Sequence, residues 1–168
     1  MRPILSLFLT VAVMMLVVAP AGAEKPTLFV QGAHYGFSGV ITKIESGMLF
    51  VKTDTSLQPR VISPTKAERV GLYDAKLGET VNMLVDSGNV LMDVSRTDRS
   101  FPEHHFVAGR LHYTDPFWGE IQLSTPEGPA TYEVDPLSGS KLSVLQEDMP
   151  VTIELDADNV MVDIQWSR

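Results

Sequence analysis

The sequence predicts an all-β protein built from two tandem five-stranded small barrels, each with a short helical segment, and three observations predict it. A shift of 70 residues lays 33–40 over 103–110, so that His34 falls on His104 and Gly39 on Gly109. The register then runs without a gap to 81–94 over 151–164, where Val, Asp, Asn, Val and Asp recur at matched places. Finally, each copy is a string of short runs rich in β-branched and aromatic residues, punctuated by Gly, Asn and Ser.

The elements follow in order. Residues 37–44 read as a first strand, Glu45-Ser46-Gly47 as a turn, 48–53 as an alternating second strand and 58–63 as a short third one. Pro64 opens a different stretch, and 65–72 is compatible with one or two helical turns. Strand four is expected at 80–86 and strand five at 90–96. The tight hairpin Ser87-Gly88-Asn89 joins them, because Gly and Asn tolerate positive φ. The second copy gives strands at 106–113, 118–124, 129–134, 150–156 and 160–166, with a helical segment within 136–145.

A helical segment between the third and fourth of five strands is the order of the OB-fold. An SH3-like barrel, the alternative, would place its short helix between the fourth and fifth. With Leu77-Gly78-Glu79-Thr80-Val81 ahead of strand four and an acidic final hairpin, the chain resembles the small exported bacterial OB-fold proteins. That resemblance covers about the last third of each copy. Proteins of that kind usually hold one barrel, so the duplication is a departure from their pattern.

The N-terminal segment reads as an address label. Arg2 gives a positive start, 4–18 is apolar, and Ala21-Gly22-Ala23 places small residues at −3 and −1 of a cut before Glu24. An apolar run of that length falls short of the roughly 20 residues that span a bilayer, so a cleaved signal peptide over 1–23 is preferred to an anchor, with no stable membrane insertion after cleavage. Without cysteine there is no lipid acceptor at the cut and no disulfide framework. The expected location is periplasmic or secreted, with repeat one over 24–100, repeat two over 101–168, and the two units leaning on each other. The segment 26–31 could add a strand to either.

Charge divides unevenly between the repeats. Residues 24–100 carry nine Lys/Arg and nine Asp/Glu, whereas 101–168 carry three against twelve. Such a potential repels phosphates and anionic membrane surfaces, which argues against nucleic acid as a partner.

Four groups of residues are candidates for chemistry. His34 and His104 are matched by the repeat, and Glu103 and His105 adjoin the second, a ligand set suited to Zn or Cu. Neighbours on a strand point to opposite faces, so such a site would need a bend or a second chain, and a structural His at the barrel entrance is the default. The first loop of copy two, Tyr113-Thr114-Asp115-Pro116-Phe117-Trp118-Gly119, replaces a plain turn in copy one. Tyr113, Phe117 and Trp118 could stack on a sugar or enter a protein pocket; alternatively, the last two glue the barrels together. Asp156, Asp158 and Asp163 beside Glu154 open like a calcium loop but lack its Gly and its final Glu, so a solvated turn is expected. Gly36-Phe37-Ser38-Gly39 and Ser63-Pro64-Thr65-Lys66 only approximate catalytic motifs.

These readings together anticipate a non-catalytic exported binding or adaptor protein without a cofactor, engaging an envelope protein or glycan through the second barrel. The alternative is a periplasmic transition-metal-binding protein using His and Glu ligands.

Overall fold

A computed structural model describes residues 33–54 and 56–166; the leader over 1–23 and the segment 26–31 lie outside the described residues. The first five strands are β1 (Tyr35–Glu45), β2 (Met48–Lys52), β3 (Arg60–Ile62), β4 (Thr80–Val85) and β5 (Leu91–Arg96). The second five are β6 (His105–Asp115), β7 (Glu120–Thr125), β8 (Gly128–Glu133), β9 (Pro150–Leu155) and β10 (Met161–Trp166). They form two antiparallel sheets of matching order, β3-β2-β1-β4-β5 and β8-β7-β6-β9-β10.

The long first strand is the hub of each sheet. The first half of β1 pairs with β4 and its second half with β2, and β6 divides itself in the same way between β9 and β7. A bulge falls between Ile41 and Lys43 in one copy and between Leu111 and Tyr113 in the other, so the bend is part of the repeat. The matched glycine sits just before it. A Cβ on Gly39 would lie 2.6 Å from Val51 Cγ1 and 2.9 Å from the Lys52 carbonyl, and one on Gly109 would lie 2.9 Å from the Ser124 carbonyl. In the second copy a parallel bridge from Val134 to Met161 ties the end of the third strand to the start of the fifth, the closure that the OB order requires.

The helical segments occupy the expected place between strands three and four. Helix α1 (Pro64–Arg69) starts at Ser63, whose Oγ accepts from the Lys66 N–H at 3.1 Å, with Pro64 in the first turn. It is shorter than the expected 65–72, because Gly71 turns to positive φ. The second copy has a 3₁₀ helix at Gly139–Val144 instead. Its flanking Ser138 spends its hydroxyl on the Val162 carbonyl, at 2.5 Å, and caps nothing.

Each barrel has its own apolar core, including Ile41, Val51, Ile62 and Met83 in the first and Ile121, Leu123, Ile153 and Leu155 in the second. β2 and β4 alternate as half-buried strands should, but β5 and most of β9 and β10 are buried at consecutive positions. Two covered faces need two neighbours. One is the barrel's own interior; the other is the opposite barrel, since β5 and β10 meet across the junction. Met92 and Val162, the repeat-matched bulge residues of these strands, are fully buried yet belong to neither core.

Candidate functional site

The polar residues of the junction are arranged reciprocally. Asp86 ends the strand-four hairpin of barrel one and accepts from Val90 N–H at 2.8 Å, while Asp156 does the same in barrel two for Asp158 and Val160 N–H at 3.0 Å. Each of these carboxylates meets a cation from the other barrel's helical segment. Lys141 Nζ donates to Asp86, and Arg69 Nε lies 3.1 Å from Asp156 Oδ2, at ion-pair distance without an aligned hydrogen bond. Burial alone would raise the Asp86 pKa, but Lys141 and the Val90 N–H hold it below the usual carboxylate value. Lys141 also donates to Asp163 Oδ1 at 2.5 Å, and the two carboxylates raise its pKa against the effect of burial. Asp135 receives Lys66 Nζ at 3.1 Å and Arg69 Nη2 at 2.8 Å. Ser63 and Lys66 thus have structural duties, one as a helix cap and the other in this junction.

The matched histidines stand in the same junction. His104, with 8% of its side chain exposed, holds Glu154 Oε1 at 2.7 Å through Nδ1 and Asp93 Oδ2 at 3.3 Å through Nε2. Burial acts to lower its pKa, but the hydrogen bonds and charges of Asp93 and Glu154 outweigh it and raise the value to about 9. At neutral pH both ring nitrogens therefore donate. His34 reaches Glu154 from the other side, with Nε2 3.1 Å from Oε2. The two histidines converge on one carboxylate, whereas Glu103 and His105 are exposed.

Placement of the acidic hairpin corrects the sequence reading. A solvated turn was expected, but Glu154, Asp156 and Asp163 are buried to 2%, 4% and 6% exposure, and only Asp158 faces solvent. The missed signal lay in the repeat itself: Glu154 occupies the position of Leu84, an acid where the first copy has an aliphatic residue.

The aromatic turn faces the other way. Phe117 and Trp118 are 85% and 73% exposed, which rules out the expected alternative that they glue the barrels together. Their rings meet edge to face at 5.1 Å. Tyr113, expected where the strand over 106–113 gives way to the loop, lies within β6, which runs on to Asp115; it is half exposed. Asp115 organises all three aromatic residues. Its Oδ1 accepts from the N–H of Phe117 at 2.9 Å and of Trp118 at 3.0 Å, and its Oδ2 from the Tyr113 hydroxyl at 2.8 Å. These bonds, that from Trp118 foremost, lower the Asp115 pKa, and the Tyr113 phenol is raised in return.

Fold and site together define a tandem barrel protein of OB-like order with a buried charged junction and an exposed aromatic turn. No protein-family model matches the chain, and a search of curated proteins finds no match.

Proposed function

We propose that this chain is a non-catalytic exported binding or adaptor protein that engages an envelope protein or glycan through the second barrel. The observation that carries this reading is the exposure of Phe117 and Trp118 on a turn pinned by Asp115. Exposed aromatic rings held in place before binding give up little conformational freedom on contact, which is what makes such residues effective anchors. The corresponding turn of the first barrel is only Ser46-Gly47, so the feature is an addition to the repeat and serves no shared folding need. The acidic balance of 101–168 favours a neutral or cationic partner over an anionic one. The N-terminal pattern over 1–23 supports export. Among the described residues no helix is long and apolar enough to cross a membrane.

The test is capture from envelope extract by the exported chain and by its Trp118→Ala and Phe117→Ala variants. Both variants should melt as the parent does, within about 0.5 kcal/mol, because they remove exposed side chains. Both should lose the captured partner. Capture that survives in the double variant overturns the assignment.

A further inference from the structure

We propose that His34, Glu154 and Asp163 form a binding site for a borderline divalent cation, zinc first, that spans the two barrels. One ligand atom from each residue lies within 4.8 Å of the other two. His34 comes from the segment leading into β1, while Glu154 and Asp163 stand directly opposite each other on β9 and β10. The site stands apart from the aromatic turn and uses neither Glu103 nor His105.

Three features point to a cation. Glu154 and Asp163 are like charges at facing positions of an antiparallel pair, an unfavourable arrangement that burial makes worse. The local groups are unevenly matched: Asp86, Asp93, Glu154 and Asp163 are four carboxylates, and among the described residues Lys141 and His104 are the cations that bridge them. Four carboxylates thus share two cations, and the remaining basic group in contact with them is His34, at Glu154. Finally, Glu154 Oε2 and His34 Nε2 are among the buried polar atoms of the described residues that lack an aligned hydrogen bond, and they face each other at 3.1 Å. The Glu154 side chain is only 3% exposed.

The donor set and its surroundings suit zinc. At zinc–ligand distances of about 2.0–2.2 Å, two donors on one edge of a tetrahedron stand about 3.3–3.6 Å apart. The His34–Glu154 pair, at 3.1 Å, is already close to such an edge, and Asp163, within 4.8 Å of both, needs to draw in by up to about 1.5 Å. Outer partners fix the carboxylates. His104 holds Glu154 by Oε1 and leaves Oε2 turned to His34, while Lys141 and the Ile164 N–H hold Asp163 by Oδ1. His34, 20% exposed, gives the site its opening to solvent.

The experiment is calorimetric titration of EDTA-treated protein with Zn²⁺, paired with Co²⁺ titration followed by visible absorption. One equivalent should bind, and Co²⁺ should develop the d–d bands of a low-coordinate site with a nitrogen ligand. His34→Ala should weaken zinc binding at least about 100-fold while the metal-free variant still unfolds in one cooperative transition, since His104 continues to hold Glu154. Asp163→Asn should weaken it similarly, giving a second variant if one misfolds. His105→Ala and His112→Ala, both at exposed positions of β6, should bind as the parent does. Absence of saturable binding in the parent, undiminished affinity in His34→Ala, or a loss that follows His105 or His112 overturns the site.

Discussion

The His104 imidazolium should make the stability of this protein fall at alkaline pH. Its pKa is about 9 in the folded chain against an ordinary 6.5, a displacement equivalent to about 3 kcal/mol in favour of the folded state at full protonation. Because the folded value is the higher one, the contribution is fully present below pH 6.5 and is lost as pH rises through 9. Lys141 stays charged in this window, since its pKa is itself raised, so it does not mimic the effect. Urea unfolding in EDTA between pH 6 and pH 10 should show the loss as a fall of about 1.5 M in midpoint, taking a slope of about 2 kcal/mol/M. His104→Gln should start about 3 kcal/mol less stable at pH 6, where Glu154 and Asp93 lose their shared cation, and should converge on the parent by pH 10. Proton NMR of the His104 ring gives the pKa directly. Parallel stability curves for parent and variant, or a ring that titrates near 6.5, would mean that His104 makes no such contribution.

The reciprocal cations yield a paired expectation: Arg69→Met and Lys141→Met should each cost about 3–5 kcal/mol in urea unfolding, because the first strips the cation from buried Asp156 and the second from Asp86 and Asp163. A Lys141→Met/Asp86→Asn cycle should be less than additive. Gly39→Ala and Gly109→Ala should each lower the thermal midpoint by the equivalent of about 1–3 kcal/mol, since the new Cβ meets backbone carbonyls inside 3.0 Å. Asp115→Asn should bring the Tyr113 phenol back toward an ordinary titration, read by ultraviolet absorbance, because its raised value rests chiefly on that carboxylate.

The barrels were legible because their signals are local. Alternation sets strands, Gly and Asn set turns, and the repeat doubles every clue; strand ends differ by a residue or two, most visibly where β6 continues to Asp115. The junction was not legible, because nothing local distinguishes a carboxylate in a solvated hairpin from one covered by a second barrel. Asp156 and Asp86 serve as hairpin acids in both readings, and only the packing of β5 against β10 decides that they are buried. The histidine pair was visible as a matched pair, yet its partner Glu154 is 50 residues from His104 and 120 from His34. The aromatic turn was visible as an anomaly, but the role of Asp115 in fixing it depends on a turn geometry that composition does not encode.

The reciprocal pattern at the junction, where each barrel's hairpin carboxylate takes its cation from the other barrel, is the pattern of an isologous homodimer written into one polypeptide. Such a surface does not distinguish a neighbour on the same chain from the same barrel of another chain. What keeps the pairing internal is the short connection between β5 and β6, which holds the second barrel near the first at a high effective concentration. Shortening that connection would leave the chemistry of the junction intact and redirect it, favouring exchange of barrels between chains over pairing within one.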